Sequence, residues 1–332
     1  MTMALAAVAD YSPGPPVTHA QLEEALGTSL GALAAYFGIE ARHWALDPCT
    51  RQLREPGLGT SLMSARAGQE ALRLAGLEPE GIDALVCGTS TPDTRLPPLP
   101  HAVQRALGMR SVASYDLRGG CAVALQALTL ASSLIESGRA NQVLVTLADT
   151  LSPHYVLPLL GVPDPRTEAL VNALTFADGA AAAILEPARE EEDRFCLRHV
   201  SSRSSFAHRT GGFTVDGGGQ TRHDHRAIRD LLPEVMREAS SDLEAARIAQ
   251  GQVRIDHLIV PQVNRSMLEL VSTDLHDRLF YLGHRLGNCP APAVLRALAR
   301  GIQEGVLVPG TSCIGLIGVE TTSWTLGTAL IR

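Results

Sequence analysis

Residues 115–125 read YDLRGGCAVAL, so a single thiol stands between two glycines and a long alanine- and leucine-rich stretch. The residues before the glycines favour a strand, and residues 122–138 have the pattern of a helix. A thiol in the first turn of a helix faces unpaired backbone N–H groups and the positive end of the helix dipole. Both stabilise the thiolate, so the position predicts a lowered pKa and a nucleophilic Cys121. The segment by itself also fits an inert, buried cysteine at a strand-to-helix junction.

The composition is that of a folded protein large enough for two domain-sized units or one duplicated unit. The chain has 332 residues, of which 45% are apolar and 19% charged, and this balance predicts a sizeable core. The net charge of -7 and the aromatic content of 4% argue against a nucleic-acid-binding surface. Since no apolar run approaches the roughly 20 residues that span a bilayer, we expect no membrane attachment.

The cysteines and basic residues narrow the chemistry further. Cysteines stand at positions 49, 87, 121, 196, 289 and 313, without a CxxC pair or metal-finger spacing. This pattern predicts reduced thiols, no metal site and a cytoplasmic protein. The N-terminal apolar run lacks a basic segment and ends at Asp10, so we expect no signal peptide. All 28 basic residues are arginine, which excludes Schiff-base and P-loop chemistry because both need a lysine.

The first half alternates short β-branched runs with alanine-rich amphipathic stretches, which is typical of α/β layers on largely parallel strands. Strands are predicted over 82–88, 142–147 and 181–185, and a helix over 122–138. The charged stretch 187–194 predicts a solvated turn and a boundary. We therefore divide the chain into an N-terminal half, residues 1–186, and a C-terminal half, residues 187–332.

The second half echoes the first. A predicted strand over 255–260 corresponds to the one over 82–88. The segment Gly287-Asn288-Cys289 corresponds to Gly120-Cys121-Ala122 and lies at a similar distance downstream of its strand. A predicted helix over 291–303 and a strand over 311–317 complete the parallel. Two copies of one α/β unit would bring both glycine-led helix starts toward a shared centre.

Short motifs along nearly the whole chain occur in an order that is known from one family. They lie at 37–42, 61–76, 88–93, 107–108, 116–122, 176–180, 287–288 and 324–332. The most telling are Asp116 to Ala122, which resembles a D-x-x-x-x-C-A nucleophile segment, and Phe176 to Ala180, which resembles F-G-D-G-A. In register, these motifs resemble the thiolase superfamily, specifically enzymes similar to ketoacyl-[acyl-carrier-protein] synthase III.

This resemblance implies an α/β fold, the thiolase-like duplicated α-β-α-β-α five-layer sandwich, usually as a homodimer with a tunnel that ends at a cysteine. It implies that Cys121 is the nucleophile that takes an acyl group from a thioester. Asn288 would be the asparagine of the family's Cys-His-Asn set. The resemblance further implies no permanently bound cofactor and a thioester of coenzyme A or of acyl-carrier-protein phosphopantetheine as substrate.

The family histidine is where the pattern breaks. Family members carry H-Q-A-N after the second Ile-Asp strand, and an ungapped alignment from Ile255 places Pro261 at the histidine position. In decarboxylating condensation, histidine and asparagine donate hydrogen bonds that stabilise the enolate. Loss of one oxyanion donor costs on the order of 10²–10³ in rate in other enzymes. Carbon–carbon bond formation is therefore disfavoured.

Two other positions depart from the family pattern. The glycine-rich stretch before the last strand, whose backbone helps bind the acyl oxyanion in the family, is here Val-Glu-Thr-Thr-Ser at 319–323. A Trp and an Arg that hold the coenzyme A adenine in some members correspond to Ala32 and Tyr36. A carrier-protein thioester is therefore an alternative donor to coenzyme A.

Several histidines and one glycine-rich stretch are weaker candidates. His223-Asp224-His225 is interpreted as a solvated loop, because metal sites need three or four ligands. Residues 211–219 predict a mobile loop near the tunnel entrance and not a phosphate cradle. His284 is a candidate substitute base, with a structural role as its alternative. His154 and His257 are weaker versions of the same hypothesis.

These observations favour an acyltransferase. Cys121 would accept an acyl group from a carrier-protein or coenzyme A thioester and pass it to a small-molecule or carrier acceptor. One alternative is decarboxylative condensation, with Asn288 and another donor replacing the histidine. The other is a non-catalytic partner subunit of a ketosynthase. The departures suggest specialised metabolism, such as polyketide or antibiotic biosynthesis.

Overall fold

The computed structural model describes residues 2–160, 162, 167–188, 194–215, 221–252, 254–271 and 273–332. Its strands are β1 (Met3–Tyr11), β2 (Pro16–Thr18), β3 (Ala41–His43), β4 (Leu46–Asp47), β5 (Gln52–Leu53), β6 (Ala84–Gly88), β7 (Ala113–Leu117), β8 (Val143–Asp149), β9 (Gly179–Pro187), β10 (Cys196–Ser204), β11 (Phe213–Val215), β12 (Thr221–His223), β13 (His257–Ile259), β14 (Ile314–Glu320) and β15 (Thr325–Ile331). Its α-helices are α1 (His19–Leu26), α2 (Gly31–Phe37), α3 (Thr60–Ala75), α4 (Leu99–Ala106), α5 (Val123–Glu136), α6 (Ser152–Tyr155), α7 (Thr167–Thr175), α8 (His225–Ala249), α9 (Arg265–Leu268), α10 (Gly283–Leu286) and α11 (Ala293–Gln303). Short 3₁₀ helices lie at Pro79–Gly81, Gly120–Ala122, Leu157–Leu159 and Thr273–Arg278. None of these described helices combines the length and apolar character of a membrane span.

Five strands of the first half lie side by side in the order β7-β6-β8-β9-β1. β6 is parallel to both β7 and β8, whereas β9 is antiparallel to β8 and to β1. Alternate residues of one strand serve opposite faces, as the two-residue period of a strand requires. Val143 and Val145 face the centre of the molecule, and Leu144 packs with α3 on the outer face.

The second half repeats this arrangement. Its strands follow the order β13-β14-β15-β10, with β13 parallel to β14 and β15 antiparallel to both β14 and β10. A parallel bridge between Leu258 and Leu279 stands where β7 pairs with β6 in the first half. Leu258 also packs with α8 on the outer face, while Ile259 faces the centre. The sequence echo thus corresponds to a structural repeat.

Two helices, α5 and α11, form a central layer between the halves. Residues of both helices share one core cluster with inward-facing residues of both sets of strands. The layers are therefore α3, the first strands, α5 with α11, the second strands and α8, which is the predicted five-layer sandwich. The two sets of strands are joined into one continuous nine-stranded sheet, because β1 of the first half pairs with β10 of the second. In this pairing Met3 lies opposite Leu197 and Ala4 opposite Cys196.

The sequence of α5 explains its central place. The helix reads VALQALTLASSLIE, and nine of its residues are buried. A helix that is apolar around most of its circumference is stable only when it is packed on several sides. This burial fixes the start of α5, and therefore the position of Cys121, against both halves.

Most predicted boundaries differ from the observed ones by a few residues, and one difference matters for the site. The strand predicted over 311–317 is instead β14, which ends at Glu320. It begins late because Ser312 closes a turn, donating from its backbone N to the Val308 carbonyl at 3.0 Å. The charged boundary stretch predicted over 187–194 has residues 189–193 outside the described part of the chain.

Candidate functional site

Cys121 lies where β7 leads into the central helix. The chain leaves β7 at Leu117, passes two glycines and makes a 3₁₀ turn over Gly120–Ala122 before α5 begins. Gly120 has φ +48°, in the left-handed region that favours glycine. Cys121 is half-buried, so the residue keeps some contact with solvent. The structure therefore places the thiol at the start of a helix, where the sequence predicts it.

A carboxylate that the sequence did not assign occupies this helix start. Oε2 of Glu320, at the end of β14, accepts a hydrogen bond from the backbone N of Cys121 at 2.5 Å. Its Oε1 accepts from the backbone N of Thr322 at 2.8 Å. A Cβ at residue 120 would overlap Oε2, so this approach requires Gly120. At the level of sequence, residues 319–323 were considered only as a stretch that lacks the family's glycines. The feature that could have identified Glu320 is a single acidic residue at the end of an apolar run.

The predicted pKa shift of Cys121 is wrong in sign. The pKa of the thiol is raised well above its usual range, first by burial among protein atoms and then by the negative charges of Glu320 and Asp149. The helix start does present an N–H group, as expected, but Glu320 already binds it. An anion in that place disfavours a second anion beside it. Cys121 is therefore a neutral thiol at neutral pH.

We expect this raised pKa to appear in alkylation kinetics. The rate of iodoacetamide addition at Cys121 should be low at neutral pH and should still rise with pH above the ordinary thiol value of 9.0, because only the thiolate reacts. The measurement is peptide-resolved mass spectrometry across a pH series, with the exposed Cys49 as the internal reference. A rate that levels off below about pH 8 would restore the lowered pKa that the sequence predicts.

Asp149 links the two halves behind the thiol. It ends β8 and is fully buried. Its Oδ1 accepts from Thr89 Oγ1 at 3.0 Å, from Ser90 N at 2.6 Å and from Thr91 Oγ1 at 3.3 Å. Its Oδ2 accepts from Ala291 N at 2.8 Å, which ties the Asn288 segment to the first half. Burial raises the pKa of this carboxyl despite the four bonds.

Asn288 lies in the segment that Asp149 holds. Its backbone N donates to the Thr175 carbonyl at 2.9 Å, and its carbonyl accepts from Ala177 N at 2.8 Å. The residue is 3% exposed, yet its Oδ1 has no hydrogen-bond partner. A buried acceptor without a partner costs about 1–3 kcal/mol. Asp149 thus holds the segment that contains Asn288, and its negative charge also acts on Cys121.

At the position of the family histidine, this chain has no side chain that can donate a hydrogen bond. Pro261 follows β13 and is buried. Both polar atoms of the neighbouring Gln262 are used by backbone, since Nε2 donates to the Val260 carbonyl at 2.7 Å and Oε1 accepts from Leu282 N at 2.6 Å. Pro261 therefore supplies no donor, and one of the two N–H groups of the buried Gln262 amide is already bound to backbone.

A groove of about 550 Å³ opens beside α2, α9 and α10. His284, the candidate substitute base, lines it together with Arg265, His19 and Tyr281. The Tyr281 hydroxyl is buried and has no hydrogen-bond partner, and its ring lies 5.9 Å from that of His284. The unpartnered hydroxyl suits a polar ligand in the groove.

The remaining candidates lie on α2, beside the groove, and near β12. Ala32 and Tyr36 are both on α2, and Tyr36 is 73% exposed. His223 contacts the rings of Phe213 and His225, and its Nε2 lies 3.4 Å from Glu168. Within the described ranges, no group of three or more His, Cys, Asp or Glu residues could hold a metal ion.

Three candidates remain, namely the glycine-rich loop, His154 and His257. Residues 216–219 of the predicted glycine-rich loop fall outside the described residues. His154 belongs to the short helix α6, and His257 begins β13.

Comparison with known proteins gives consistent matches. The family model described as "3-Oxoacyl-[acyl-carrier-protein (ACP)] synthase III" matches residues 115–204. A β-ketoacyl-[acyl-carrier-protein] synthase III from Cereibacter sphaeroides is 32% identical over 314 residues, which cover 91% of each chain. The solved structure of AbyA1, a tetronic acid condensing enzyme, superimposes with a TM-score of 0.87 at 27% identity over 99% of both chains. The 3-oxoacyl-(acyl carrier protein) synthase III of Pseudomonas aeruginosa gives 0.81 at 26% identity, over 100% of this chain and 98% of that one.

Proposed function

Since the chain belongs to the β-ketoacyl-[acyl-carrier-protein] synthase III family, we propose that it is an acyltransferase that works through an acyl-Cys121 intermediate. Enzymes of this family are transferases that use acyl-coenzyme A or acyl-carrier-protein thioesters and hold no permanent cofactor. The acyl group would pass to Cys121 and then to a hydroxyl, amine or thiol on a small molecule or a second carrier protein.

The Glu320 carboxylate against the Cys121 backbone N–H carries this proposal. Condensation leaves an enolate, whose charge needs hydrogen-bond donors. Pro261 supplies none, one N–H of the buried Gln262 is bound to the Val260 carbonyl, and Glu320 adds a negative charge 2.5 Å from the Cys121 nitrogen. Acyl exchange forms no enolate. Acyl exchange therefore fits this site better than condensation does.

Acyl exchange takes two steps at one thiol. The Cys121 sulfur attacks the thioester carbonyl, and the tetrahedral intermediate expels the carrier thiol. The acceptor then attacks the acyl-Cys121 thioester and releases the cysteine. The unpartnered Oδ1 of Asn288 supports this second step, because an O–H or N–H group of the acceptor would satisfy it.

The groove beside α10 supports a phosphopantetheine thioester as the donor, of a carrier protein or of coenzyme A. Arg265 places a positive charge in it, which suits the phosphate of a phosphopantetheine arm. We therefore propose an acyl carrier protein and a small-molecule acceptor as partners, a homodimer as the assembly and a cytoplasmic location. The likeness to AbyA1 supports a role in specialised metabolism, such as polyketide or antibiotic biosynthesis.

Decarboxylative condensation is the second candidate. It is favoured by the family itself, by the condensing activity that the name of AbyA1 states, and by the retained Asn288. For this chemistry Glu320 would have to leave the Cys121 N–H or be protonated, so that an oxyanion could occupy that position.

Intact-protein mass spectrometry separates the candidates. We expect a mass increase equal to one acyl group on Cys121 after mixing with acyl thioesters, with no CO₂ release when malonyl thioester is added. A β-keto product with CO₂ release would establish condensation instead. Absence of any adduct with acyl-coenzyme A and acyl-carrier-protein donors would point to the third hypothesis, a non-catalytic partner subunit.

A further inference from the structure

Glu320 touches the nucleophile residue and keeps the capacity to accept a proton. Its side chain is 4% exposed, and each of its two oxygens accepts one backbone hydrogen bond, from Cys121 and from Thr322. The Thr322 side chain donates a third bond, and since a carboxylate offers about four acceptor positions, one remains unused. Glu320 is therefore held against Cys121 without being saturated.

Cys121 needs such a proton acceptor. A thiol with a raised pKa is a weak nucleophile until a base removes its proton. Pro261 offers no base, and Asp149 already accepts four hydrogen bonds that fix it in the scaffold. Among the groups described around the thiol, Glu320 is the best placed to act.

We propose that Glu320 is the proton-transfer group of this site and takes the place of the family's missing histidine, an inference that rests on acyl transfer through Cys121. In the first step the Cys121 S–H proton passes to the Glu320 carboxylate as the S–C bond forms. The C–S bond to the carrier then breaks, and the leaving thiolate takes that proton from Glu320. In the second step the acceptor proton passes to Glu320 as the new bond forms, and then to the departing Cys121 thiolate.

The same proton transfer resolves the conflict over the Cys121 N–H. While Glu320 is ionised, it occupies the donor that a tetrahedral oxyanion would use. Once protonated, it holds that N–H more weakly and presents an O–H donor of its own. A buried neutral carboxylic acid that donates to an oxyanion is a known catalytic device. Glu320 is thus a base before attack and a donor after it.

The groups that face Glu320 set its pH dependence. Burial raises the pKa of Glu320, hydrogen bonds from Thr322 and Cys121 oppose this, and Asp149 on β8 raises it further. The Cys121 thiol faces it from the helix start, and becomes charged only at high pH. Acylation should therefore be lost on acidification at a pH above the usual range of a glutamate, and should be nearly constant from there into the alkaline range.

The test is the pH profile of the Cys121 acylation rate in wild-type protein and in the Glu320→Gln variant. The rate is measured with one acyl-coenzyme A, by mass spectrometry of samples quenched at set times. We expect the variant to be slower near neutral pH by about 10²–10⁴, the usual contribution of a general base. Its rate should rise tenfold per pH unit, because it depends on thiolate alone, so that the two profiles converge at high pH. Glu320→Asp should recover part of the rate, and Glu304→Gln on the surface should change nothing.

The outcomes are distinguishable. If wild-type Cys121 forms no adduct, the proposed function fails before Glu320 is tested. If wild-type protein forms the adduct and Glu320→Gln changes the rate by the same factor at every pH, or not at all, Glu320 has only a structural role and this inference is overturned. Circular dichroism of the variant at each pH confirms that folded protein is compared.

Discussion

Replacement of Cys121 with alanine is expected to abolish acyl-enzyme formation and to lower the transfer rate by at least about 10³, because removal of a covalent nucleophile leaves only binding and electrostatic effects. Alanine keeps the backbone N–H that Glu320 binds, so the fold at the helix start should persist. The measurement is the acyl mass increase together with product formation over time.

The matched control for this variant is Cys49→Ala, which removes an exposed thiol between β4 and β5. It should acylate and turn over like the wild type. An acyl increase that survives in Cys121→Ala would place the covalent step on another residue. Turnover without any adduct in both proteins would instead indicate direct transfer between donor and acceptor.

Gly120→Ala, which adds one methyl group next to Cys121, is expected to lower both the stability of the protein and its acyl-transfer rate. Its Cβ would overlap Oε2 of Glu320, and residue 120 has φ +48°, which alanine adopts at a cost. The left-handed backbone costs about 1 kcal/mol and forced overpacking about 1–3 kcal/mol, so unfolding free energy should fall by about 2–4 kcal/mol. Acyl transfer should fall as well, because Glu320 is pushed off Cys121. Chemical denaturation measures the first effect and adduct formation the second.

A double variant shows whether contact with Glu320 or the backbone conformation causes this loss of stability. If overlap with Glu320 causes most of the destabilisation, Glu320→Ala in the Gly120→Ala background should recover stability, giving a non-additive cycle. Additive effects would show that the backbone conformation alone is responsible. Gly138→Ala is the control, since Gly138 also has positive φ but a Cβ there meets no atom within 4 Å.

The fold was predictable because its motifs recur in register. The runs that became β6, β8 and β9 are buried on both faces, and such strands appear in a sequence as continuous apolar stretches. The echo between the halves survives in the repeated strand order. The place of Cys121 at a helix start was predictable for the same reason, since a glycine-led junction is a local feature.

The electrostatics of the site was not predictable from local pattern. The helix-start argument for Cys121 considered the helix alone, whereas its N–H is bound by Glu320, 199 positions further along the chain. Strand register decides that contact, and β14 lies a few residues later than its hydrophobic run indicated. The unpartnered Oδ1 of Asn288 likewise depends on neighbours from several distant segments. Such contacts exist only once the halves are assembled.

The central layer has a thermodynamic consequence. α5 belongs by sequence to the first half and α11 to the second, yet both are packed against strands of both halves. Separation of the halves would expose this shared apolar cluster to water, at about 25 cal/mol per Å² of apolar surface. We therefore expect neither half to be stable on its own. We expect the chain to unfold as one cooperative unit, so that the boundary predicted after residue 186 is not a boundary of stability.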